Sequence, residues 1–179
     1  MTNAKTNKTR LLVFVGIFSA ISFVLQLLVP YKVGGFLDIE LSDLPALIIT
    51  FAYGPVSGIV CELIKNLLHA TISTTGLVGE FANFIINGTF CLTAGLIYKF
   101  NKSFKGAILS LVFATLAMSV AGIFVNLFIM LPLYMPTAPI SVKMPLVLYT
   151  ILPFNVVKGI VISFITMLIY KKISPILHK

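Results

Sequence analysis

Between Arg10 and Lys32 the chain carries no charge: Leu11 to Tyr31 is one uncharged, mostly apolar run. A bilayer-spanning helix needs roughly 20 largely apolar residues, whereas the apolar core of a signal peptide runs to about 7–15. Lys5, Lys8 and Arg10 precede the run and no small-residue cleavage site follows it, so it reads as a retained first membrane helix. Similar runs recur, and of the 179 residues 59% are apolar and only 10% charged. Soluble domains carry about 45–50% apolar and about 25% charged residues, and a small soluble fold exposes too much surface to hide such an excess. The chain reads as one integral membrane domain over residues 1–179, with no room for a soluble nucleotide-binding or catalytic domain.

Prolines, glycines and polar clusters divide it into six helices, an all-α membrane fold. Helix 1 is expected over Arg10–Val29, ended by Pro30, and a loop over Tyr31–Glu40 follows, containing Gly34-Gly35, Asp38 and Glu40. A short helix 2, Leu41–Tyr53, carries Asp43 and stops at Gly54-Pro55, a turn dipeptide. Helix 3 is expected over Pro55–Thr71, with proline at a favoured first-turn position. A polar turn over Ser73–Gly79 leads to helix 4, Val78–Phe100, and a basic connector, Asn101–Phe104, to helix 5, Lys105–Met130. Pro132, Pro136, Pro139 and Pro145 break the next stretch ahead of helix 6, Leu146–Lys172, which Pro153 is expected to kink. Cys61 and Cys91 fall inside apolar runs, where packing is the expected role rather than a disulfide.

Six helices put both termini on one side. Lys5, Lys8, Arg10, Lys99, Lys102, Lys105, Lys171, Lys172 and Lys179 fall there, against Lys32 and Lys143 opposite, with Lys65 and Lys158 inside helices. The net charge of +8 is therefore distributed as the positive-inside rule distributes it, with cytoplasmic termini, and does not form a nucleic-acid surface.

In-membrane polar residues then fall into sets. Glu62, Lys65, Asn66 and His69 recur on one face of helix 3, and Glu80, Asn83 and Asn87 on one face of helix 4. Asn126 lies near the outer end of helix 5, and Asn155 and Lys158 in the outer half of helix 6. An intramembrane charge costs at least about 2.5–3.5 kcal/mol on insertion scales. A set confined to the outer half suits a pocket open to the outside rather than a channel crossing the bilayer. Glu62 with Lys65, and Glu80 with nearby bases, read either as ion pairs joining helices or as site residues. Lys158 has no acidic partner on helices 5 or 6 and reads as a ligand contact. His69 reads as an interfacial or hydrogen-bonded residue; with His178 on the other side, no histidine metal site is formed. No G-x-x-x-x-G-K-[ST] loop, G-x-S-x-G elbow or H-E-x-x-H motif is present. If the chain concentrates a solute, the energy must come from a partner or an ion gradient. Gly16 and Ala20 form a small-x-x-x-small pair that admits another helix, inside the fold or from a partner.

Asp43-Leu44-Pro45-Ala46-Leu47, Phe51-Ala52-Tyr53-Gly54-Pro55, Glu62-Leu63-Ile64-Lys65-Asn66-Leu67-Leu68-His69, Gly79-Glu80-Phe81-Ala82-Asn83-Phe84 and Asn155-Val156-Val157-Lys158 together resemble the riboflavin-binding S component of energy-coupling factor (ECF) transporters. The resemblance implies a vitamin-capture subunit rather than an enzyme, with riboflavin or FMN as cargo and no cofactor. It implies association with a transmembrane coupling subunit and two ATP-binding-cassette ATPases. It implies polar ligand contacts from Asn126, Asn155 and Lys158, a lid over Tyr31–Glu40, and docking through helix 1, where Gly16 replaces the usual first alanine of Ala-x-x-x-Ala. Carboxamides complement the alternating acceptors and donor of the flavin imide edge. Other readings are an S component for thiamine or folate, or a small intramembrane enzyme using Glu62, Glu80 and His69.

Overall fold

The computed structural model describes residues 2–28, 31–33, 37–73 and 76–177, and for 2–7, 31–33, 37–39, 170, 171 and 173–177 the backbone alone. Val29, Pro30, Gly34, Gly35, His178 and Lys179 lie outside the described residues, as do the side chains of Lys5, Tyr31, Lys32, Asp38 and Lys171. α1 (Thr2–Leu28) leads to an antiparallel pair, β1 (Tyr31–Val33) and β2 (Leu37–Ile39), and then to α2 (Asp43–Tyr53), α3 (Pro55–His69) and α4 (Gly76–Phe100). α5 is continuous over Phe104–Tyr134. α6 joins Ile140–Leu146, Val147–Ile151 and Leu152–Leu177 end to end.

Four of these helices are long and apolar enough to cross a membrane: α1 over Lys8–Leu28, α4, α5, and α6 over Ile140–Ile169. α2 and α3 have 11 and 15 residues. At 1.5 Å per residue they reach about 16 and 22 Å, short of the roughly 30 Å hydrocarbon core. The fold is all-helical in its membrane body, as expected, but only four helices span by their own length. Gly54 alone joins α2 to α3, with φ at +96°; only glycine adopts that conformation without strain.

The stretch expected as a plain loop, Tyr31–Glu40, contains a small hairpin with Tyr31 opposite Ile39 and Val33 opposite Leu37. Two short β-prone triplets flank the Gly34-Gly35 pair, a hairpin signal that a loop assignment overlooks. The prolines also act differently from the expectation. α5 runs through Pro132, and α6 starts at Ile140 and includes Pro145. Each helix carries one π-helical turn, Asn126–Met130 and Val147–Ile151, ending two residues before Pro132 and Pro153 respectively. A proline ring crowds the carbonyl one turn back and removes a donor; a wider turn at that place absorbs both effects without ending the helix.

Lipid tails are as apolar as leucine, so these helices gain little from hiding apolar side chains and instead pack closely through small residues. Leu109, Val112, Phe113, Leu116, Val120 and Phe124 stand exposed along α5. The interior between α2, α4, α5 and α6 mixes Ala94, Ala107 and Ala114 with Leu47, Phe51, Phe90, Tyr98, Met118 and Ile162. Gly95 marks the closest approach of α4 to α2 and α3: a Cβ there would lie 2.7 Å from Thr50 Cγ2 and 2.8 Å from Pro55 Cα. Buried hydroxyls of Ser19, Thr50, Thr115, Ser119 and Thr166 donate to the carbonyl four residues earlier, which keeps them satisfied without water. Cys61 and Cys91 are buried free thiols within one apolar cluster.

Candidate binding site

The two π-turns stand where α5 and α6 carry their amides. Asn126 opens the first, and Asn155 lies one turn beyond the second, with Lys158 on the same face at i+3. Together with the end of α1 and the first half of α4 they enclose a cavity of about 340 Å³. That volume falls within the roughly 300–1,000 Å³ typical of small-molecule sites. Five carboxamides line it: Gln26, Asn83, Asn87, Asn126 and Asn155. Glu80 and Lys158 add charge, and Met130, Leu131, Tyr134, Leu146 and Phe154 form apolar wall. Among the described residues Lys158 is the one lysine or arginine on the lining.

Lys158 is not without a partner, as α5 and α6 alone would suggest. Its Nζ lies 2.8 Å from Asp43 Oδ2 and 3.6 Å from Glu40 Oε1. The acids come from the segment that enters α2, whose N-terminal turn favours a carboxylate. Asp43 turns its other oxygen to Lys65, 2.7 Å from Nζ, and Lys65 is also 2.7 Å from Glu62 Oε2. Lys65 and Glu62 are fully buried, Lys65 donating in addition to Ser42 Oγ. Asn66 donates to Glu62, both carbonyl and carboxylate. From Glu40 the network continues into α4: Asn83 Nδ2 donates to Glu40 Oε1 at 3.4 Å, and Asn87 Nδ2 to Asn83 Oδ1 at 2.7 Å. A continuous polar chain thus links α3, α2, α6 and α4 through Asp43 and Glu40.

The polar residues expected from the sequence therefore divide. Glu80, Asn83, Asn87, Asn126, Asn155 and Lys158 share the cavity. Glu62 and Lys65 lie behind it, inside the α2–α3 contact, and Asn66 faces a second, mostly apolar groove between α3, α4 and α5. Glu80 bridges helices as well. His69 Nδ1 lies 2.9 Å from Glu80 Oε1, and Gln26 Nε2 donates to Glu80 Oε2 at 3.5 Å. Gln26 Oε1 and Asn87 Oδ1, both on lining residues, are buried acceptors with no hydrogen-bond partner among the described residues. Gln26, Glu40 and Asp43 escape a reading of helix faces, although two lysines inside helices demand counter-charges and three of the five acids lie in 38–43.

The family model described as "ECF transporter, substrate-specific component" matches residues 10–170. The chain is similar to the riboflavin transporter RibU of Staphylococcus aureus (strain TCH60), 38% identical with 99% of this chain and 96% of the relative covered. It is likewise similar to the riboflavin transporter FmnP of Bacillus subtilis (strain 168), 39% identical over 94% of each. A solved structure described as "Structure and mechanism of the S component of a bacterial ECF transporter" superposes with a TM-score of 0.81 at 37% identity, covering 96% of this chain and 99% of that one.

Proposed function

The chain belongs to the family of substrate-specific components of ECF transporters, and from that premise we propose that it captures riboflavin outside the cell and delivers it for uptake. The observation that carries this reading is the cavity wall: five carboxamides, Lys158 and Glu80 set among apolar side chains. A flavin is a flat aromatic system whose imide edge alternates acceptors with one N–H donor, and each carboxamide offers both complements. The orphaned acceptors on Gln26 and Asn87 call for donors, which the imide and the ribityl hydroxyls supply. Asn126, Asn155 and Lys158 are the direct ligand contacts in this reading, with Asn83 and Asn87 beside them. Glu62 and Lys65 hold α2 against α3. Riboflavin is cargo, and no chemistry is performed on it.

The protein is a multi-pass membrane protein with both termini in the cytoplasm. Whether α2 and α3 cross separately or fold back as a pair, the number of crossings stays even. The cavity, built from the end of α1 and the start of α4, then opens outward. The hairpin runs straight into Glu40, which contacts Lys158 and Asn83 of the cavity lining, and this continuity supports reading the hairpin as the lid.

Uptake is energised by the ECF module, a transmembrane coupling subunit with two ABC-type ATPases. Gly16 and Ala20 supply its docking surface. Both are exposed, and a Cβ on Gly16 would meet nothing within 4 Å, so this close-approach site is not spent inside the fold. The test is uptake: cells that cannot make riboflavin should accumulate labelled riboflavin when they carry this chain and an ECF module, and not with either alone. Equal accumulation without the chain contradicts the reading.

A further inference from the structure

Gly122 has no side chain to offer a ligand and does not line the cavity, yet it meets both asparagines of α5 and α6. Its carbonyl accepts from Asn126 Nδ2 at 2.8 Å. A Cβ on Gly122 would lie 2.6 Å from Asn155 Nδ2 and 3.1 Å from Asn155 Cγ, closer than packed atoms stand. The Asn155 amide therefore occupies the notch left by the missing side chain, while its Nδ2 donates to the Ile151 carbonyl at 2.9 Å. A backbone carbonyl only accepts, so each amide must turn its nitrogen toward its own helix, and the direction of both carboxamides follows. From this geometry we propose that Gly122 is a positioning residue for riboflavin binding, setting the place and orientation of the Asn155 amide directly and of the Asn126 amide through its carbonyl. The inference rests on the reading of Asn126 and Asn155 as ligand contacts.

A second notch on the same interface separates positioning from packing. A Cβ on Gly159 of α6 would lie 2.6 Å from Thr115 Cγ2. Thr115 is β-branched and stiff, its hydroxyl is held by the Leu111 carbonyl, and it does not line the cavity. Alanine at 159 must push the helices apart locally at Thr115, about two turns along α5 from Gly122. Alanine at 122 need only displace the far end of an amide, and alanine suits a helix better than glycine.

The experiment titrates riboflavin fluorescence with the detergent-purified full chain and records thermal unfolding without ligand, for Gly122→Ala, Asn155→Ala, the double variant and Gly159→Ala. Asn155→Ala and Gly122→Ala should each raise the dissociation constant roughly tenfold, the scale of one lost hydrogen bond. Gly122→Ala should keep its melting temperature. In the double variant binding should be no weaker than in Asn155→Ala, because both changes act through one amide. Gly159→Ala should lower the melting temperature and leave affinity unchanged. Parental affinity in Gly122→Ala beside a weakened Asn155→Ala overturns the positioning role. So do additive losses in the double variant, an equal loss of affinity in Gly159→Ala, and a Gly122→Ala chain that fails to fold where the double variant folds. Parental affinity in Asn155→Ala removes the site reading itself, and the inference with it.

Discussion

Asp43 gives one carboxylate oxygen to Lys158 and the other to Lys65, so a single acid at the start of a short helix bridges two intramembrane lysines, with Glu62 beside Lys65 and Glu40 beside Lys158 completing the charge balance. Removing either lysine leaves buried carboxylate oxygen without its partner, which is more damaging than never having placed the pair there. Lys158→Met should accordingly weaken riboflavin binding by roughly 1.5–3 kcal/mol and also lower the unfolding temperature, read in one titration and one melt. A variant that binds as the parent does would remove Lys158 from the site. Read along the sequence, Lys158 stands alone, because no acid lies on α5 or α6; its partner is brought by the entry to α2, a meeting that helix periodicity does not encode. Glu62 and Lys65, by contrast, are legible as a pair, since i and i+3 share a helix face. Glu62→Gln and Lys65→Met should each reduce yield and melting temperature, and the double variant should recover part of both with riboflavin affinity kept. Normal stability with lost binding would move the pair into the site.

At the scale of elements, helix order and most helix ends are visible because glycine, proline and polar clusters interrupt long apolar runs. Two features are not. Pro132 and Pro145 read as helix breakers, yet α5 continues through the first and α6 includes the second; in a membrane the freed backbone groups must be satisfied locally, and the π-turns ahead of Pro132 and Pro153 do so. The small hairpin is hidden by its brevity: three residues per strand hold too little pattern to outweigh the loop-forming glycines. The Gly16 and Ala20 pair is legible as a motif, but its direction is not, and the open space beside Gly16 supplies it. Leucine at both positions should abolish uptake and co-purification with the ATPases while riboflavin binding by the isolated chain persists. Continued uptake would place the docking face elsewhere.

For the whole molecule, the division of labour follows from what it contains. Its buried charged and amide groups gather at one end of the bundle, around a cavity with an amide-rich wall, and the other end packs Phe90, Tyr98, Leu111 and their neighbours tightly. Such a body can hold a polar aromatic solute at the cavity end, and among the described residues no polar path leads from there to the opposite end; in the proposed reading, release falls to the partner module. That this cavity binds a flavin is open to direct measurement. The absorbance spectrum of the purified chain, followed by riboflavin titration after the bound ligand is washed away, tests it most directly. A co-purifying flavin band is expected, with saturable fluorescence quenching at one riboflavin per chain, weakened in Lys158→Met. A colourless preparation that leaves riboflavin fluorescence unchanged across the titration would contradict it.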